Sequence, residues 1–143
     1  MKCTVIIDPS QEEQVVIHAH CRTSLVDTIE QLIAQNEQEL LGRNDDEILR
    51  LSPEEVHCFV AENNKVYALT QTNRYAVSLR LYQLEERFSA QLIRINQSCL
   101  ANPLHIERFR ASLGGALLVC FKNGHSEYVS RRNIKSVKER LGI

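Results

Sequence analysis

From Val56 onward, apolar and β-branched residues fall at every second position in short runs: Val56, Cys58 and Val60, then Val66, Ala68 and Thr70, then Tyr75 and Val77. A period of two places alternate side chains on one face of a strand, so this stretch predicts β-hairpins. The polar breaks at Glu62-Asn63-Asn64-Lys65 and Thr72-Asn73-Arg74 are the expected turns. Leu117 to Phe121 and Ser126 to Val129 flank Asn123-Gly124, whose tolerance of positive φ makes this the clearest hairpin signal in the chain. Between these hairpins, Ser78 is expected to cap a short helix with Leu81, Leu84 and Phe88 on one face. A strand from Leu92 to Ile95 should lead into the polar knot Asn96-Gln97-Ser98. Ser130 is expected to open a last helix with Ile134, Val137 and Leu141 facing inward and Gly142 past its end.

The first 47 residues follow another pattern. Cys3 to Ile7 and Gln14 to His20 are apolar and β-branched, which predicts two strands separated by a Pro-Ser turn. Ser24, with Asp27 three residues on, then predicts a helix start, and Leu25, Ile29, Leu32, Ile33 and Leu40 recur at helical spacing up to Gly42, placed to end it. The opposite face (Glu30, Gln31, Glu37, Gln38) reads as solvated surface. The expected class is therefore α+β: a small α/β extension over residues 1–47, then a mostly β domain with short helices over residues 48–143.

Charge divides the chain in a similar way. Residues 1–51 carry 4 Lys or Arg against 10 Asp or Glu, a net −6, whereas residues 52–143 carry 13 against 8, a net +5. The overall −1 conceals a basic domain. Because local charge sets the local field, a polyanion such as DNA or RNA is the partner to test first. No apolar run approaches the roughly 20 residues that span a bilayer, and the short run before Asp8-Pro9 lacks the parts of a secretion signal, so a cytoplasmic location is expected. The five cysteines (Cys3, Cys21, Cys58, Cys99, Cys120) are odd in number and form no C-x-x-C, which predicts reduced, buried thiols.

Few residues point to chemistry other than binding. Arg131 and Arg132 fall in the first turn of the last helix, where the positive end of the dipole disfavours each cation by about 0.3 to 1 kcal/mol. A phosphate or base edge would offset that cost, and Lys135 and Lys138 continue the same face; the alternative is a salt bridge to Glu127 or Glu139. Asn96-Gln97-Ser98 suits contacts to adenine or phosphate and equally suits a loop cap, as Asn63-Asn64-Lys65 suits a groove-facing loop or a plain turn. His18 and His20 share a face but fall two ligands short of a zinc site, and neither a Gly-rich phosphate loop nor a hydrolase or metalloprotease motif occurs. No metal, cofactor, small-molecule substrate or catalysis is expected. His57-Cys58 cannot meet as base and nucleophile, since neighbours on one strand point to opposite faces.

Residues 52–143 resemble the LytTR-type DNA-binding domain of bacterial transcription regulators. The resemblance is carried in order by Ser52-Pro53-Glu54-Glu55-Val56 leading to Phe59-Val60-Ala61-Glu62, by Leu79 to Phe88, by Leu92-Ile93-Arg94-Ile95-Asn96-Gln97-Ser98-Cys99-Leu100-Ala101-Asn102 against the family's F-x-R-x-H-R-S-x-x-V-N block, and by Phe121-Lys122-Asn123-Gly124 with Val129-Ser130-Arg131-Arg132. It implies an elongated β domain that reads duplex DNA through loops. By position, Asn63, Asn64, Lys65, Asn96, Gln97 and Arg132 would face DNA, with Arg94 and Ser98 at the block's most characteristic places and Arg131 and Lys135 alongside. Two departures stand out: Asn96-Gln97 occupies the place of a usual His followed by Arg or Lys, and Pro103-Leu104-His105 replaces a more usual acidic turn.

The family also implies a stand-alone regulator, and its members are often encoded beside a small membrane protein that restrains them. The first 50 residues are too short for the phosphoacceptor domain many regulators carry, so control by phosphorylation is not expected. The acidic extension has too little core for independence, so it is expected to pack on the β domain or to form a homodimer. The rival reading is an RNA-binding or protein-interaction module of the same fold, although Tyr67, Tyr75, Tyr82 and Tyr128 are not grouped as a stacking platform.

Overall fold

The computed structural model describes residues 1–37 and 40–143, which separate into two compact units at Glu37/Gln38. In the first unit, helix α1 runs Ser24–Glu37. The hydroxyl of Thr23, rather than Ser24, accepts from the N–H of Val26 (3.4 Å), and Asp27 pairs with Arg22 (2.6 Å) instead of closing a capping box. The strands expected at Cys3 to Ile7 and Gln14 to His20 are not formed. β-propensity expresses fit to a half-buried pleated surface, and here Val5, Ile6, Ile7, Val15 and Val16 all remain exposed with no ladder to join. The expected passage of the helix through Gln38 and Glu39 lies outside the described residues.

The second unit opens with β1 (Leu40–Arg43), so Leu40 and Gly42 belong to a strand and not to the helix. Gly42 is required by contact: a Cβ there would lie 2.6 Å from Leu51 Cδ1 and 2.8 Å from Tyr75 Cβ. β2 (Ile48–Leu51), β3 (Cys58–Glu62), β4 (Lys65–Leu69), β5 (Arg74–Val77), β6 (Ile93–Asn96) and β7 (Cys99–Ala101) complete a seven-stranded antiparallel sheet in the order β2-β1-β5-β4-β3-β7-β6. β8 (Ile106–Ala111), β9 (Leu117–Phe121) and β10 (Ser126–Val129) form a second sheet ordered β10-β9-β8. Helix α2 (Leu81–Arg87) lies between β5 and β6, and α3 (Arg131–Leu141) ends the chain.

Strand alternation builds two cores. Phe59, Val66, Ala68, Tyr75, Val77 and Leu100 gather on one face of the large sheet with Leu81 and Leu84 of α2. Cys58, Val60, Cys99 and Ala101, on the opposite face, pack with Val119 and Phe121 of the small sheet and Val137 of α3. Ile134 and Leu141 pack against this second core, as the spacing of the last helix predicts, and Gly142 closes α3 at φ +71°. Arg80, not Ser78, is the N-cap of α2, with its N–H donating to Gln83 Oε1 (2.9 Å). All five cysteines are free; Cys58, Cys99 and Cys120 are buried as expected, but Cys3 and Cys21 are exposed.

Candidate nucleic-acid interface

Glu62 and Lys65 are the last pair of the β3–β4 ladder, leaving Asn63 and Asn64 as a two-residue turn at φ +50° and +64°. A right-twisted hairpin needs left-handed residues there, and asparagine accepts that conformation more readily than other non-glycine residues. The backbone thus explains the Asn pair as a turn, while their side chains and Lys65 stay exposed. Glu62 is neutralised by an ion pair with Arg74, whose guanidinium also stacks 3.9 Å over Tyr67, so the hairpin tip keeps the charge of Lys65.

The central block forms β6, a bulge at Ile95 and the turn into β7. Asn96 does not project freely. Its Oδ1 accepts from the N–H of Ser98 (2.8 Å), and its Nδ2 donates to the Tyr128 carbonyl (2.8 Å) and to Glu127 Oε2 (3.3 Å). His125 Nε2, at 2.9 Å, holds the Glu127 carboxyl below the usual range against the opposing effect of burial, and the Asn96 amide adds to this. Arg94 donates to the Gln97 carbonyl (3.0 Å) and pairs with Glu85 (3.5 Å), so it braces the turn from beneath. Gln97 and Ser98 are left exposed.

The third element is the start of α3. The Ser130 N–H donates to the Ile95 carbonyl (2.9 Å), fastening this end of the helix to the central block. Ser130 Oγ accepts from Asn133 Nδ2 (2.7 Å) and makes no cap bond to the helix backbone. Arg131, Arg132 and Lys135 are exposed and form no ion pair with any described residue; the alternative partner Glu127 is already engaged by His125 and Asn96.

A groove of about 420 Å³ brings the first two elements together: Asn63, Asn64 and Lys65 line it with Arg94 and Gln97. Arg80, for which the sequence offered no role, lines it too, as does Tyr82, noted there only among tyrosines not grouped for stacking. Arg131, Arg132 and Lys135 do not; they connect to it through Asn96 and Ser130. Asn102, read only as the last letter of the block, is a buried fastening whose side chain bonds to three backbone groups. Cys99 is pushed above the usual thiol range by its hydrogen bond with Cys58 and by burial, which keeps the Cys99 sulfur as a thiol. No cluster of three or more His, Cys, Asp or Glu among the described residues is arranged to hold a metal, and no described helix is long and apolar enough to cross a membrane.

The second unit is a two-sheet β domain that carries exposed polar turns and cations outside ion pairs with any described residue. The LytTr DNA-binding domain family matches residues 46–142, and the chain belongs to that family. The chain is 37% identical over 89 residues to uncharacterized HTH-type transcriptional regulators of Staphylococcus aureus strains NCTC 8325 and COL, a match covering 62% of this chain. It spans about 60% of the length of those relatives. The solved LytTr DNA-binding domain of a protein described as a methyl-accepting/DNA response regulator from Bacillus cereus superposes with a TM-score of 0.68 at 18% identity, over 74% of this chain and 99% of that one, which shows a common fold.

Proposed function

We propose that this chain is a cytoplasmic bacterial transcription regulator that recognises double-stranded DNA sequence-specifically, by binding and without catalysis. The carrying observation is the single groove shared by the β3–β4 tip and the β6–β7 turn, to which Asn96 and Ser130 fasten the arginine-bearing start of α3. Asn63, Asn64, Lys65, Gln97, Ser98, Arg131, Arg132 and Lys135 are the contacting residues in this reading, and Arg94 and Asn96 hold the contacting turn in place. Exposed amides and guanidinium forks supply base-edge donors and acceptors, and the lysines supply phosphate contacts. Two copies on repeated half-sites would add the contacts of a second reader. A small membrane protein that restrains the regulator fits the same reading.

Selection of bound fragments from random duplex DNA, followed by titrations at several salt concentrations, tests the proposal. The expected result is an enriched motif whose affinity falls with a log-log salt slope of about −0.9 per phosphate contact. No enrichment with a flat salt response, or equal preference for single-stranded RNA, would overturn it.

A further inference from the structure

A second concavity, of about 290 Å³, lies beside the reading groove and is lined by Arg43, Lys65 and Arg80 but by no acidic residue. The three cations are exposed and form no ion pair with any described residue; Arg80 Nη1 reaches only the Asn64 carbonyl, at 3.4 Å. The sheet holds them near one another. Arg43 in β1 is registered opposite Ala76 of β5, and β5 pairs in turn with β4, which begins at Lys65. Like charges gathered around one concavity repel, and an anion bearing several oxygens relieves that repulsion most fully. Asn64, Lys65 and Arg80 line both concavities, so the two adjoin.

We infer that Arg43, Lys65 and Arg80 form a phosphate-contact site that carries the duplex footprint past the β3–β4 tip toward β1. Arg43 lies three residues before the 46–142 match. The inference rests on the DNA-binding reading, although a free polyphosphate offers the same chemistry.

The test uses the full chain on its selected duplex between 50 and 200 mM salt. If each arginine meets one phosphate, the wild type should lose about 3.5-fold more affinity over that range than Arg43→Ala, and about 12-fold more than the double variant Arg43→Ala/Arg80→Ala. Arg43→Lys should restore the slope, and the ranking of base-substituted sites should not change. Circular dichroism melts of the unliganded variants should match the wild type, since both side chains are exposed. Equal slopes for the wild type and the double variant, with the wild type still binding its site, would overturn the inference alone. A wild type that binds no duplex would instead sink the DNA reading. Calorimetry with tripolyphosphate covers the other source: uptake abolished by Arg43→Ala while the duplex slope stays unchanged would assign the concavity to a free anion and refute a DNA contact.

Discussion

Asn102→Ala should destabilise the second unit by about 3 kcal/mol. Asn102 is 2% exposed, and its Nδ2 donates to the carbonyls of Pro53 (3.2 Å) and Val56 (3.0 Å) while its Oδ1 accepts from the N–H of Leu104 (3.1 Å). Each bond contributes about 0.5 to 1.5 kcal/mol net, and alanine would strand the buried partners without replacing them. At roughly 4 °C per kcal/mol for a unit of about 100 residues, the melting temperature should fall by about 12 °C. Asn102→Asp separates hydrogen bonding from shape. It keeps the volume but turns a carboxylate oxygen toward two carbonyls, so it should be at least as damaging as alanine. Urea unfolding followed by circular dichroism supplies the measurement, with a lower midpoint and an unchanged m-value expected for both variants. An aspartate variant clearly milder than alanine, or a loss below about 1 kcal/mol for either, would show that Asn102 is not the fastening described.

Arg132→Ala should lose about 1 to 3 kcal/mol on the selected site and relax base preference there, whereas Lys135→Ala should weaken all duplexes alike and lower the salt slope by about 1; competition titrations with substituted sites distinguish the two. Neither change should lower thermal stability without DNA, because removing a first-turn cation relieves an unfavourable dipole interaction and Lys135 is exposed. His57 is buried, its ring stacks 4.1 Å from that of His105, and its Nδ1 has no hydrogen-bond partner among the described residues. Burial, with His105 and Lys122 nearby, holds its pKa below the usual 6.5. The unfolded chain therefore takes up this proton first, so the His57 contribution is flat above about pH 6.5 and stability falls as pH drops below it. His57→Phe preserves a stacking ring and should flatten that decline in urea midpoints measured from pH 5 to 8; an unchanged slope would refute it.

The hairpins were legible because their information is local: alternation sets the faces of β3, β4, β5, β9 and β10, and Asn63, Asn64 and Gly124 supply the left-handed residues their turns require. What the sequence hid depends on partners far along the chain. Leu40 and Gly42 continue a helical spacing and mimic a helix end, yet they pair with residues 48–51, and glycine is demanded by the approach of Leu51 and Tyr75. Cys3 to Ile7 errs in the opposite direction, since strand-like composition without a neighbouring ladder yields no strand. Arg80 gave no signal as a groove residue, because its place beside Asn64 follows from the path of β5 into α2.

The central block divides the work that a motif match would assign to its letters alike. Arg94 occupies one of its most characteristic places and Asn96 the place of the usual His, but their side chains are engaged by Glu85, the Gln97 carbonyl, Ser98, Tyr128 and Glu127. Breaking those bonds to reach a base would cost about what the new bond returns, so these residues favour positioning over reading. Gln97 and Ser98 remain free to approach a ligand but bring no cation, in a place where the family usually has one. Lys65 and Arg80 line the same groove and supply that charge from other strands and turns. Arg131 and Arg132 add theirs at the positive end of α3, where helix stability alone opposes them. Local chemistry and cross-chain geometry therefore converge on a positively charged loop surface whose unmet interactions an anionic duplex can satisfy.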